Sequence, residues 1–170
     1  MNRSHVRCLV LLCTGFLGES LVSAPVHAQP VSDREVAALF RQAQSLASQG
    51  KDREAAALYE KCLELAPRVA GDQSRNTVSI LGKLGHCYDN LGEFAKAEPL
   101  LVRALEIDEA KEGKDHIRVA DCLNHLANLH EHMAQYDKAE AEYLRALRIR
   151  EASQGKGHIE VAKLDRKSVV

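Results

Sequence analysis

One stretch of sequence occurs three times at a fixed spacing of 42 residues. The copies read KDREAAALYEKCLELAP from Lys51, EFAKAEPLLVRALEIDE from Glu93 and QYDKAEAEYLRALRIRE from Gln135. Equal spacing without gaps is typical of a repeat array, in which each unit buries its apolar face only by stacking on the next. The period therefore constrains the fold more than any other feature of the chain.

Composition indicates a helical array without a strong net charge. The chain has 170 residues, of which 45% are hydrophobic and 4% aromatic, and its net charge is -1. The abundant Ala, Leu, Glu, Lys and Arg lose little rotamer freedom in a helix, so we expect an all-α protein. A chain so balanced has no general attraction for nucleic acid or an anionic membrane, and neither is an expected partner.

The first 28 residues differ from the repeats and resemble a secretory signal peptide. Two arginines precede the apolar run CLVLLCTGFLG (8–18), which is too short to span a bilayer, and Ala28 is the small residue that cleavage requires. Cleavage there would leave a short linker, 29–32, and predicts a secreted or periplasmic protein with no membrane contact. An uncleaved segment that anchors the chain to a membrane is the alternative.

Three cysteines would remain after that cleavage, namely Cys62, Cys87 and Cys122. An odd number cannot all pair, which excludes a disulfide framework. Each lies within an amphipathic helical pattern, where cysteine serves as a small apolar side chain. One disulfide between two of them is the alternative interpretation.

Start and stop signals divide each unit into two helices. The first helix of the array is predicted to begin at about Asp33, because Ser32 and Glu35 form a capping box. The period then places the starts of the second helices near Asp52, Phe94 and Tyr136. Proline cannot continue a helix and glycine favours its exit, so the expected ends are near Pro67, Gly113 and Gly155.

A tight turn is expected between the two helices of each unit. Gly50 and Gly92 lie one period apart and supply the left-handed residue that ends a helix. Ala134 is the equivalent residue of the third unit, and we expect it to adopt the left-handed conformation at a higher energy because it carries a Cβ.

Small residues recur at the same places in every unit. Helices approach closely only where the facing side chains are small, so these positions are predicted to be the contacts between helices. The predicted repeat-packing residues are Ala43, Gly85 and Ala127 in the first helices, with Ala55, Ala97, Ala139, Ala104 and Ala146 in the second helices.

These positions carry a resemblance to the tetratricopeptide repeat, whose pattern runs large apolar, leucine, small, aromatic, then alanine, aromatic and alanine. The predicted repeats cover about 36–69, 78–111 and 120–153, within 33–156. The stretch HIRVADCLNHLANLHEHMAQYDKAEAEYLRALRIREASQGKGHIEVA is similar to the kinesin light chain type, which reads histidine, Val-Ala, Leu-Asn-Asn-Leu-Ala, then tyrosine, Ala-Glu and Arg-Ala-Leu-x-Ile. The resemblance implies a right-handed superhelix of antiparallel helix pairs, an α-solenoid, that binds proteins or peptides.

A fourth copy begins but does not continue. His158 and Val161 follow the period, whereas Asp165 stands where the earlier copies have leucine, and the sequence stops at Val170. Residues 157–170 are predicted to be either a degenerate capping helix or the start of a repeat in a truncated or frame-shifted piece of a longer array. We favour the second, because arrays usually end with a complete polar-faced cap.

No constellation of residues points to catalysis or to a metal. His125 and His132 lie seven residues apart on one predicted helix, with His86 one repeat earlier. No spacing brings three or four ligands within about 2.0–2.3 Å of one zinc ion, as a site requires. The sequence also lacks a glycine-rich phosphate loop and a nucleophile elbow. We therefore expect no enzymatic activity, no cofactor and no metal.

Polar residues on the first helices are the candidates for recognition. In the family the first helices line a concave surface, so the resemblance places this stripe along a groove. Asn124 is the best single candidate, because it matches the first asparagine of Leu-Asn-Asn-Leu-Ala, and an amide both donates and accepts hydrogen bonds to a peptide backbone. The groove candidates are Lys83, His86, Asn90, Asn124, His125, Asn128 and His132.

The expected partner is a protein or a peptide, most simply an extended segment in the groove. The alternative is a structural segment of a longer array that self-associates through its C-terminal repeat and whose effector domain is absent.

Overall fold

Six α-helices of alternating length form the part of the chain that the structure describes. The computed structural model describes residues 33–70 and 73–154, and these contain no strand. The first helix of each pair has 16 residues and the second has 19. Each helix begins 42 residues after its counterpart in the preceding pair. In order, the helices are α1 (Asp33–Ser48), α2 (Asp52–Ala70), α3 (Arg75–Asn90), α4 (Phe94–Glu112), α5 (Ile117–His132) and α6 (Tyr136–Gln154).

The all-α prediction is confirmed, and the predicted helix starts at Asp33, Asp52, Phe94 and Tyr136 agree with the structure. The predicted signal peptide, the linker and the incomplete fourth copy lie outside the described residues.

One predicted helix end is wrong. α4 stops at Glu112, immediately before Gly113, as expected. α2 instead runs three residues past Pro67 to Ala70. A proline inside a helix removes a backbone hydrogen bond and crowds the preceding turn, but tertiary packing can override that local penalty. Here Ala66, immediately before the proline, is already 2% exposed in the core.

One turn joins the two helices of each pair, and the three turns contain the same backbone hydrogen bonds. Their central residues, Gly50, Gly92 and Ala134, have φ angles of 74°, 72° and 57°. In the second turn the N–H of Gly92 donates to the carbonyl of Asp89 (2.9 Å) and the N–H of Glu93 donates to that of Tyr88 (2.8 Å). This pair of bonds is a Schellman motif, which requires a left-handed residue. Ala134 is therefore the strained member of the set, as the sequence predicted.

Small residues lie where the helices approach one another. At Gly85 in α3, an added Cβ would lie 2.6 Å from Cδ2 and 2.7 Å from Cγ of Leu101 in α4. Glycine at this position lets the Leu101 side chain fill the space against the α3 backbone. The eight residues predicted to pack between helices are all buried: Ala43, Ala55, Gly85, Ala97, Ala104, Ala127, Ala139 and Ala146.

Consecutive repeats share an apolar core and, at one junction, a buried ion pair. α2 packs on α3 and α4 packs on α5, so each pair is covered by the first helix of the next. Arg118 of α5 donates from Nη2 and Nε to the two carboxylate oxygens of Asp108 in α4, at 3.0 and 3.4 Å. The Asp108 side chain is 4% exposed. A two-pronged bond to a buried carboxylate fixes the orientation of α5 on α4.

The three cysteines of the described ranges are free and buried. Burial, as the largest cause, raises the pKa of the Cys87 thiol to about 11 and that of Cys122 to about 12. Both thiols are therefore protonated at neutral pH and unreactive, in agreement with their interpretation as apolar filling side chains.

Gly85→Ala should lower the free energy of unfolding by about 1 kcal/mol. Alanine in a helix interior normally stabilises by about 1 kcal/mol relative to glycine, but overpacking against Leu101 costs about 1–3 kcal/mol. Gly82→Ala is the matched control, because nothing lies within 4 Å of a Cβ at that position of the same helix. It should raise stability by about 0.5–1 kcal/mol. Urea unfolding measures both, and equal stabilisation by the two substitutions would contradict the close contact.

Ala134→Gly should raise the free energy of unfolding by about 1 kcal/mol, because it removes a Cβ from a left-handed backbone conformation. The reverse substitution in the equivalent turn, Gly92→Ala, should lower it by a similar amount. Thermal melts of the two variants test this expectation. A loss of stability in Ala134→Gly would show that the third turn is not strained.

Candidate functional site

Two clefts lie along the first helices of the pairs. The larger, of about 840 Å³, opens between α1 and α3. Phe40 of α1 and Ile80 of α3 form its walls, with Ala66 of α2 between them. Phe40 is held in place by an edge-to-face contact with Tyr59, at 5.5 Å between ring centroids. The smaller cleft, of about 340 Å³, lies between α3 and α5.

The two clefts differ because equivalent positions carry side chains of different length. Asp108 and Arg118 form the ion pair that lines the smaller cleft. One period earlier the same two positions are Ala66 and Asn76, which line the larger cleft. A methyl group and a short amide occupy less space than a carboxylate joined to a guanidinium. The repeat geometry is therefore the same, while the space between the helices is not.

Three of the predicted groove residues meet between α3 and α5. Lys83 lines both clefts, and His125 lines the smaller one. The ring of His86 lies 6.2 Å from the ring of His125 between centroids, at an interplanar angle of 48°. Lys83 and His86 are exposed, whereas His125 is partly buried.

Three other predicted groove residues form hydrogen bonds with side chains of neighbouring helices. Nδ2 of Asn90 donates to Oδ1 of Asp52 in α2 at 3.1 Å. The hydroxyl of Tyr143 in α6 donates to Oδ1 of Asn128 at 2.6 Å. Nδ1 of His132 donates to Oδ1 of the buried Asp89 in α3, at 2.8 Å. These contacts join helices to one another, so the three side chains also have a structural role.

Asn124, the best single candidate from the sequence, lines neither of these two clefts. Its counterparts one and two periods earlier are Gly82, in the smaller cleft, and Phe40, in the larger. Each of these borders the cleft on the side of its helix that faces the following pair. By the same register, Asn124 lies on the side of α5 that faces away from α3.

The structure also adds lining residues that the sequence prediction missed, among them two polar residues of α1. Arg41 and Gln44 line the larger cleft. They stand one period before Lys83 and His86, so subtracting the period from those two candidates would have identified them. Arg41, Lys83 and His125 thus form a basic series at one position of successive first helices.

The electrostatics of the cluster oppose protonation of His125. Burial, the largest cause, together with the basic neighbours His86 and Lys83, lowers the pKa of His125 to about 4, while Asp89 acts in the opposite direction. His125 is therefore neutral at physiological pH, and its ring can donate and accept hydrogen bonds.

The chemistry available to the site is that of hydrogen bonding and charge. Among residues 33–70 and 73–154, no group of three or more His, Cys, Asp or Glu side chains is arranged to hold a metal ion. None of the helices in those ranges combines the length and the apolar character needed to cross a membrane.

Comparisons with known proteins agree with this architecture. The tetratricopeptide repeat model matches residues 34–110 and 76–152. The crystal structure of BtubC (BKLC) from P. vanneervenii is similar over 80% of this chain and 54% of that chain, with a TM-score of 0.72 and 24% identity. Nearly identical TPR-like repeats of a kinesin light chain candidate from Podosopora anserina are similar over 78% of this chain and 63% of theirs, with a TM-score of 0.71 and 15% identity.

This chain therefore spans less than two thirds of the length of either structure, and the likeness concerns the fold. Comparison with curated proteins gives no match.

Because the pKa of His125 is lowered, the free energy of unfolding should decrease as the pH falls through a defined window. An unfolded histidine takes up a proton below about pH 6.5, whereas the folded chain resists this until about pH 4. The contribution of neutral His125 to the free energy of unfolding is fully present above about pH 6.5. It is lost as the pH falls towards 4, and the loss is on the order of 2 kcal/mol. His125→Asn should reduce the loss. Urea unfolding of both proteins at pH 7, 5.5 and 4.5 measures it, and parallel pH profiles would contradict it.

Proposed function

The chain belongs to the tetratricopeptide repeat family, and from this premise we propose that it is a non-catalytic scaffold that binds a protein or peptide segment in the groove along α1, α3 and α5. Repeats of this family generally mediate protein–protein interaction and are typically non-catalytic. The proposal concerns the first-helix surface because both clefts open between successive first helices.

The observation that carries the proposal is the cleft between α1 and α3. Its volume of about 840 Å³ lies within the range of protein pockets that enclose ligands, roughly 300–1,000 Å³. Ala37, which is exposed, and Phe40, which is partly buried, offer an apolar surface to a side chain of the partner, whereas Ile80 is only 1% exposed. Gln44 and Asn76 in the same lining supply amides that donate to and accept from a peptide backbone.

The dimensions of the groove suit an extended segment. Packed helices lie about 8–10 Å apart, and successive first helices are separated by clefts, so three of them in a row span at least about 20 Å. An extended chain advances about 3.3 Å per residue, and about six residues cover that length. An extended segment also exposes its backbone groups to the side chains that line the clefts.

We further propose that the protein is secreted or periplasmic, with the alternative that it is anchored to a membrane by an uncleaved N-terminal segment. The support for this proposal is the sequence of residues 1–28, with its basic start, short apolar run and small residue at Ala28.

A second candidate function is self-association, and it is favoured by two exposed side chains on α6. Tyr136 is 66% exposed, whereas its counterpart Phe94 is partly buried against the core. Leu144, on the same helix, is 40% exposed. Apolar surface of this kind is a usual component of contacts between protein copies.

Ala37→Trp should weaken peptide binding at least about tenfold, because an indole would fill the larger cleft, and tenfold corresponds to about 1.4 kcal/mol. Ala37 is exposed and lines that cleft, so the substitution leaves the core intact. The ligands are peptides selected from a random seven-residue library on the purified chain, and fluorescence anisotropy measures their affinity.

Ala38→Trp is the matched control, since Ala38 is exposed on the same helix and does not line the cleft. It should bind the selected peptides as the parent chain does. Equal affinity of both variants would exclude the cleft as the binding site. A mass that rises with concentration in light scattering, and that Tyr136→Ser abolishes, would instead favour self-association.

A further inference from the structure

Three basic side chains stand together between α3 and α5 without an acidic partner. The rings of His86 and His125 are 6.2 Å apart between centroids, and Lys83 is close enough to lower the pKa of His125. None of the three forms a hydrogen bond or an ion pair with another residue of the described ranges 33–70 and 73–154. Their polar atoms are therefore available to a ligand.

The acidic groups around this cluster are already engaged. Each neighbouring carboxylate binds another basic side chain, in the pairs Asp89 with His132, Asp108 with Arg118, and Asp121 with Arg150. Arg75, at the edge of the smaller cleft, pairs with Glu112. Arg41, one period before Lys83, lines the larger cleft without a carboxylate partner in the described ranges. Asp33 also lines the larger cleft and offsets the charge of Arg41, so the uncompensated basic side chains of the groove are those between α3 and α5.

We propose that the groove holds a peptide by a carboxylate side chain placed at Lys83, His86 and His125, and that its binding is coupled to the uptake of a proton by the two histidines. This inference rests on the proposed function, to which it adds the chemistry of the partner and a dependence on pH.

The coupling follows from the charges that the ligand brings. In the free protein, protonation of His125 is opposed by its burial, by His86 and by Lys83, and Asp89 only partly offsets this. A carboxylate between them replaces this repulsion with attraction, so that the imidazolium form is favoured in the complex. By linkage, a ligand that raises the proton affinity of a site binds more tightly as the pH falls.

The probe is acetyl-hexaglutamate amide, six residues long to match the groove, and hexaglutamine of the same design is the uncharged control. Glutamate side chains have a pKa of about 4.3, so the probe stays largely ionised between pH 7.5 and 5.5. Its affinity is measured at both pH values at constant ionic strength, because screening alone changes charge interactions. Calorimetry in two buffers with different ionisation enthalpies counts the protons taken up.

We expect hexaglutamate to bind about fivefold more tightly at pH 5.5 than at pH 7.5, with net proton uptake, since each proton coupled to binding contributes up to tenfold per pH unit. The double variant His86→Gln, His125→Gln should lose this difference and the proton uptake. The single variant His86→Gln should reduce the pH difference and the proton uptake. Because His86 is exposed, this variant replaces the double variant if the latter does not fold.

His116→Asn is the matched control, because His116 caps α5 by accepting from the N–H of Arg118, and asparagine is also a favoured cap. It should keep the full pH effect. Failure of hexaglutamate to bind, an affinity independent of pH, or an undiminished pH effect in the double variant would each overturn the proposal. The selected library peptides separate this inference from the proposed function. If they contain no acidic residues and Ala37→Trp weakens their binding, the proposed function stands and this inference is refuted.

Discussion

The array depends on how closely neighbouring helices approach at positions without bulky side chains. At Gly85 the α3 backbone comes so near Leu101 that a Cβ would not fit without a shift. Small buried residues recur at the equivalent places in the other pairs. Dispersion contacts are individually weak and are lost when a gap opens, so close packing repeated at every junction is what makes the core continuous.

The turns keep that packing in register. Each one closes with the same two backbone hydrogen bonds, so each second helix starts at the same point relative to the first. Ala134 shows the strength of this requirement, because the third turn keeps its left-handed conformation although the residue is not glycine. A left-handed alanine costs roughly 1–2 kcal/mol, which is less than the burial of a single large apolar side chain can contribute.

Stacking leaves one side of the first helices uncovered, and the side chains on that side determine the volume and charge of the clefts. The same junction is open where it contains Ala66 and Asn76, and narrower where it contains Asp108 and Arg118. The same backbone arrangement, repeated in successive pairs, thus forms two neighbouring clefts of different volume and charge. His125, between α3 and α5, adds a group whose charge depends on its surroundings, because burial and basic neighbours favour the neutral ring.

The sequence by itself determined the number and register of the described helices, because apolar spacing, turn glycines and the 42-residue period are local signals. It also placed Lys83 on a surface that the structure identifies as cleft lining. Only the tertiary structure decided that α2 continues past Pro67, that Asn124 lies outside both clefts, and that Asn128 and His132 are held by other helices. These outcomes depend on the rotation of each helix about its axis and on partners distant in sequence, which the spacing of residues along one helix does not encode.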